Sequence, residues 1–226
     1  MLGAAVAQRL ADDGATVAFT YATAADAAQA LAERIGRALP IHADLQDPRA
    51  ASGAVDTTVS RFGRIDILIN NAAHFARGEL DRITLEQVDR TLAVNVRAVF
   101  LTCQAAARHM GEGGRIITIG TCVTERVPGP GMTLFTMSKS ALTGLTKGLA
   151  RDLGPRGITA TVIHPGPIDT HANPADGPQA AAFSGHTALG RYGTTDDIAA
   201  TVAHLAGEGG RYITGAAFSV DGGFAA

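Results

Sequence analysis

Apolar residues recur along this chain with two alternating periods. Leu2 to Asp13 carries them at helical spacing and stops at Gly14, a residue suited to a helix C-terminus. Thr16 to Tyr21 reads as a short buried strand, and Ala24 to Ile35 as an alanine-rich helix. A strand over Leu39 to Ala43 ends at Asp44, and Pro48 opens a helix that runs to Phe62. Ile65 to Asn70 is β-branched and strand-like. Thr84 to Val94 and Val96 to Met110 form a nearly continuous helical pattern. Arg115 to Ile119, Ile158 to Ile163 and Ala216 to Val220 read as strands, with the second halting at Pro165-Gly166. Thr133 to Leu153 and Thr195 to Leu205 read as helices. Residues 171–190 are rich in Pro, Gly, Ala and His and read as a loop or lid.

Strands alternating with helices at this spacing predict an α/β fold, a doubly wound parallel sheet with helices on both faces. No repeat and no linker interrupts the pattern, so 226 residues are expected to form one Rossmann-like domain, 1–226.

Composition narrows the class of partner. Lys and Arg number 19 against 21 Asp and Glu, so no basic excess points to nucleic acid or an anionic membrane. No apolar run approaches the ~18 residues that span a bilayer. Two cysteines cannot build a disulfide scaffold, and the cytoplasm is the expected compartment. The seven histidines show no metal-ligand spacing, so no metal site is expected.

Several short groups fall in a particular order. Asn70-Asn71-Ala72-Ala73 follows a strand, and Asn95 lies in a long helical stretch. Thr121 follows the strand ending at Ile119, and Lys139 lies four residues after Phe135. Pro165-Gly166 closes the next strand, with Ile168 and Thr170 just beyond. Over essentially the whole chain this ordered set resembles the short-chain dehydrogenase/reductase family, especially its 3-oxoacyl-reductase-like members.

The resemblance implies an NADP(H)-dependent reductase of a small carbonyl substrate, or a dehydrogenase of the matching alcohol, assembled as a homodimer or homotetramer. It implies catalytic positions at Asn95, Thr121, Phe135 and Lys139. Cofactor contacts are implied at Gly3, Tyr21, Asp44, Asn70, Ala72, Lys139, Pro165, Gly166, Ile168 and Thr170. The stretch Thr20-Tyr21-Ala22-Thr23 lacks the acidic residue that binds a ribose 2′-hydroxyl in NAD-preferring folds, which favours NADP over NAD.

Three departures from the family pattern bear on function. The family opens with a strand and a turn of the form Thr-Gly-x-x-x-Gly-x-Gly; Gly3 matches its last glycine, and the residues before that point have no counterpart here. The expected readings are a truncated or misassigned start, or a derivative with rebuilt cofactor chemistry. The first strand would then be missing from mid-sheet, between 16–21 and 65–70. Phe135 stands where the family has its catalytic tyrosine, in Phe135-Thr136-Met137-Ser138-Lys139. The family's serine falls at Thr121 or, with shorter spacing, at Cys122; the strand-end context favours Thr121.

In the family, a tyrosine gives a proton to the substrate oxygen. A lysine one turn later, about 6 Å along the helix, lowers the phenol pKa. Phe135 keeps the ring and cannot ionise, so carbonyl reduction is expected to be impaired. A non-catalytic subunit or binding protein on the same fold is the alternative.

Other residues have plainer readings. Asp44 suits a helix N-cap, Asn70 and Asn71 suit strand-end turn chemistry, and His164 suits a structural strand end. His171 and His186 read as solvated loop histidines, Cys103 as a core residue, and Cys122 as a neighbour of the site without a histidine partner in sequence.

Overall fold

The computed structural model describes all 226 residues. The elements are α1 (Leu2–Asp12), β1 (Val17–Tyr21), α2 (Ala25–Ile35), β2 (Ala38–His42), α3 (Pro48–Phe62) and β3 (Ile67–Asn70). They continue with α4 (Leu85–Leu92), α5 (Ala98–His109), β4 (Arg115–Ile119), α6 (Thr133–Leu153), β5 (Thr159–Pro165), α7 (Ala180–His186), α8 (Thr195–Ala206) and β6 (Ala216–Val220). Every strand pair is parallel. β1 pairs with β2, while β3-β4-β5-β6 form a second sheet in that order. The two strands flanking the expected position of a first strand, β1 and β3, do not pair with each other.

β4 and β5 are buried at every residue, as parallel strands covered on both faces must be. Their side chains alternate between two cores. Ile116, Ala160 and Val162 pack with Val55 of α3, Val99, Cys103 and Ala106 of α5, and Leu142 of α6. Ile117, Ile119 and Ile163 pack on the other face with Val6 of α1 and with Ile198, Ala199 and Val202 of α8. α1 also packs through Ala7 against Val17 of β1 and Leu31 of α2, so one helix spans both sheets.

Local signals explain most element ends. Asp47 caps α3 by accepting the Arg49 N–H at 2.8 Å, Pro48 occupies the first turn, and Gly63 closes the helix in the left-handed region. The N-cap of α3 is therefore Asp47 rather than Asp44, which accepts the Gln46 N–H at 2.9 Å in the preceding turn. Reciprocal capping boxes start α4 (Thr84 with Gln87) and α8 (Thr194 with Asp197).

Three features differ from the sequence expectation. The helical stretch from α4 to α5 runs on through a π-helical segment, Ala93–Arg97, centred on Asn95. β5 continues to Pro165, paired with Val220; β4 ends opposite Ile163, so the proline falls where that neighbour has already stopped. The 171–190 segment contains α7, a seven-residue helix that its Pro- and Gly-rich surroundings mask in the sequence.

Gly166 is a point of close approach, since a Cβ there would lie 2.6 Å from the Asp221 Cα. Gly53, inside α3, has nothing within 4 Å of such a Cβ. Gly166→Ala is expected to destabilise the fold by about 1–3 kcal/mol through overpacking against backbone. Gly53→Ala is expected to stabilise it by about 0.5–1 kcal/mol through helix propensity. Urea unfolding of both variants beside the parent tests the pair of signs.

Candidate active site

Parallel strands place all their C-terminal ends on one edge, and ligand sites in open α/β sheets form along that edge. Here it carries Tyr21 at the end of β1, Asp44 after β2, Asn70 to Ala73 from the last residue of β3, Thr121 after β4, and Pro165 to Thr170 from the last residue of β5.

Lys139 and Phe135 reach the same edge from α6. The Lys139 amine is buried and donates to the Ile119 carbonyl at 2.7 Å, two residues before Thr121. Burial pulls its pKa down to about 8, because the charged form loses water. Phe135 is buried against Cys122, Val123, Met132 and Phe224, with the half-exposed Phe75 ring edge-on at 4.8 Å. The ring thus sits beside the residue that follows Thr121, and no hydroxyl is present at this position. Thr121 opens a short turn: its hydroxyl faces the Val123 N–H at 3.5 Å, and its carbonyl accepts from the Thr124 hydroxyl at 2.9 Å.

Asn95 is fully buried in the π segment, a feature that recurs at functional sites. Its Oδ1 accepts the His74 N–H at 2.7 Å, and its Nδ2 donates to the His74 carbonyl and the Ser138 hydroxyl, both at 2.9 Å. Ser138 in turn donates to the Phe135 carbonyl at 2.8 Å. Asn95 therefore joins the loop after β3 to the helix carrying Phe135 and Lys139.

The residues expected to face a cofactor divide into two groups. Asn70 turns inward: Nδ2 donates to Cys103 Sγ at 3.3 Å, and Oδ1 accepts from the Thr102 hydroxyl at 2.7 Å. Tyr21 is half-buried, its ring 5.5 Å from that of His42. Ala72 and Asp44 are exposed at the strand ends. Gly3 lies in the first turn of α1, where a Cβ would come within 2.7 Å of Asn71 Nδ2. Pro165 and Ile168 are buried, Gly166 lies against Asp221, and Thr170 exchanges backbone bonds with Asn173 at 3.0 and 3.3 Å. Ile168 also bridges to Gly193, which ties this segment to the start of α8.

Three contributors escaped the sequence reading. Phe75 and Ser138 meet the site only through tertiary packing, and the C-terminal turn brings Phe224 over Phe135. His164 lies beneath Thr121 as a wholly buried ring. A histidine ending an apolar strand was the one visible signal. Among cation candidates, no cluster of His, Cys, Asp and Glu able to hold a metal is present.

A family model described as enoyl-(acyl carrier protein) reductase matches residues 2–225. The chain belongs to the short-chain dehydrogenase/reductase family. It is similar to the cyclic-di-GMP-binding biofilm dispersal mediator protein of Escherichia coli K12, with 43% identity over 225 residues covering 100% of this chain and 93% of that one. The crystal structure of a short-chain dehydrogenase from Burkholderia cenocepacia J2315 in complex with NADP superposes with a TM-score of 0.98 at 53% identity, covering 100% of this chain and 94% of that one. A blue fluorescent protein from a metagenomic library, solved in complex with NADPH, gives a TM-score of 0.98 at 51% identity with the same coverage.

Burial also sets the state of the thiols. Cys122 and Cys103 are both pushed up to about 12, Cys103 eased slightly by the Asn70 amide and Cys122 pushed further by Asp221. Burial thus disfavours the thiolate, the reactive form, at both positions. A chromogenic disulfide reagent at pH 8 is expected to leave both thiols of the folded protein unreacted and to titrate both in denaturant. Rapid labelling of the native chain would contradict their burial.

Proposed function

We propose that this chain is an NADP(H)-binding oxidoreductase acting on a small, largely apolar carbonyl of the 3-oxoacyl type, with proton delivery weakened by Phe135. The carrying observation is the buried Lys139, a cation held at the strand edge beside Thr121 with a single carbonyl partner. A surface lysine has no reason to be desolvated there.

The cofactor fits the donor set. Gly3 lets the Asn71 side chain lie close against the first turn of α1, where a Cβ would clash with Nδ2 at 2.7 Å, and a helix N-terminus suits a phosphate group. Lys139 would hold the nicotinamide ribose, with Ala72, Pro165, Gly166, Ile168 and Thr170 along the same edge. Tyr21 and Asp44 would lie toward the adenosine half, and Asn70 would act by holding the β3 end in place. The absence of an acidic residue at Thr20 to Thr23, and the NADP and NADPH bound to the similar structures, support NADP over NAD.

When bound, the nicotinamide supplies the hydride for the carbonyl carbon. The protein's own part is to hold the oxygen and, with phenylalanine at 135, to supply its proton from the Lys139 ammonium, which solvent then reprotonates. The Thr121 hydroxyl donates to that oxygen. Lys139, with a pKa of about 8, is mostly an ammonium at pH 7 and stabilises negative charge nearby. Phe135 excludes water and packs on Phe75, and it cannot donate a proton. Asn95 and Ser138 hold α6 against the loop after β3. The apolar wall of Phe75, Met132, Phe135 and Phe183 suits an apolar substrate, and the 171–190 segment would act as its lid. One domain over 1–226, a homodimer or homotetramer, and a cytoplasmic location complete this reading.

One observation favours a second reading, a binding protein without catalysis. The acid position is sealed into an aromatic cluster, and the Escherichia coli relative is named for binding cyclic-di-GMP.

A fluorescence titration with NADPH, with NADH alongside, tests the cofactor site, and turnover separates the two readings. Saturation at micromolar NADPH with clearly weaker NADH is the expected result. The absence of saturation up to millimolar NADPH would overturn the reductase reading. In a separate assay of NADPH consumption with ethyl acetoacetate, Phe135→Tyr is expected to raise turnover by about 10²–10⁴-fold, the usual contribution of a general acid.

A further inference from the structure

We propose that His164 is a positioning residue of the site: as a neutral imidazole it accepts the Thr121 N–H on Nδ1 and thereby fixes the turn that presents the Thr121 hydroxyl. This rests on the functional reading above, in which that hydroxyl holds the substrate oxygen.

The geometry begins with the end of a ladder. β4 and β5 exchange backbone bonds up to the Gly120 N–H, which donates to the Ile163 carbonyl. The next amide, Thr121, has no strand carbonyl left to reach. It donates instead to His164 Nδ1 at 3.1 Å. A buried N–H without an acceptor is costly, so this ring replaces a missing rung of the sheet. The replacement needs room beside it. A Cβ on Gly120 would lie 2.4 Å from Nδ1, so only glycine lets the ring approach the strand end. Thr121 itself is extended, at φ −167° and ψ 146°, and begins the turn to Thr124.

The bond dictates the tautomer. Nδ1 accepts only if the proton is on Nε2, which faces the Thr143 hydroxyl on α6 at 3.5 Å. A second proton would turn Nδ1 into a donor facing the Thr121 donor, and the rung would break. Two charged groups bear on the ring: Glu125, in the turn after β4, favours protonation, and Lys139, on α6, opposes it. Burial outweighs both and keeps the pKa below the ordinary histidine value. The site is therefore intact at neutral pH and loosens on the acid side, as pH falls through that lowered pKa.

The first test uses the unmodified chain and needs no activity. Long-range ¹H–¹⁵N spectra of labelled histidine are expected to show His164 as the Nε2–H tautomer at pH 7.5. The Thr121 amide resonance is expected to shift with the same acid midpoint as the ring. A Thr121 amide that ignores the His164 titration, or an Nδ1–H tautomer, overturns the proposal.

The second test uses the Phe135→Tyr background with NADPH and ethyl acetoacetate. His164→Leu, which removes the acceptor, is expected to lower kcat at least tenfold with NADPH affinity within twofold. His164→Asn, which can offer an amide oxygen, is expected to recover most of kcat and to lose the acid limb of its pH profile. A leucine variant with unchanged kcat overturns the proposal. If the background binds NADPH and turns over nothing, the reductase reading fails while the spectra still decide the positioning role.

Discussion

The structure depends on a pair of strands that have no exposed face. β4 and β5 are buried at every residue, so their backbone groups must pair with each other and with β3 and β6. That requirement holds all four strands parallel and in register, with Ile119 opposite Ile163 and Asn70 opposite Thr118. It also puts every C-terminal strand end on one edge. The site is that edge, and the chemistry available to it is whatever the loops leaving those strands carry.

Helix α6 converts this scaffold into a site. Leu142 anchors it in the core against β4 and β5, while Phe135, Ser138 and Lys139 lie one turn or less apart near its start. The π segment at Asn95 meets it through Ser138, so hydrogen bonds link the loop after β3 to the helix. The Asn95 amide makes three hydrogen bonds, two to the His74 backbone and one to the Ser138 hydroxyl, and so joins α6 to that loop. The buried amine of Lys139 is tolerated because the Ile119 carbonyl accepts from it, at the cost of a lowered pKa.

Phe135 shows how one missing oxygen changes what the surrounding packing must supply. A tyrosine here would need a partner for its hydroxyl. The phenylalanine needs only apolar neighbours, and Cys122, Val123, Met132, Phe224 and Phe75 supply them. Lys139 and Thr121 lie on the β4 edge, while the Phe135 ring has joined a core cluster.

The alternation of strand and helix is written in local periodicity, because burial on two faces demands continuous apolar strands and amphipathic helices, while the family is legible only through the resemblance carried by short ordered groups such as Asn70-Asn71-Ala72-Ala73 and Pro165-Gly166. The boundaries of β5 and the helix inside 171–190 are not, since they depend on where neighbouring strands stop and what the segment packs against. Asn70 reads identically whether it faces a ligand or Cys103, and only the fold turns it inward. The same holds for His164. A histidine at a strand end is unremarkable as a letter, and its meaning comes from a ladder that runs out at Gly120, one residue short of Thr121. Contacts between residues 43 positions apart leave no trace in spacing, because nothing local distinguishes a side chain that completes a hydrogen-bond ladder from one that merely fills space.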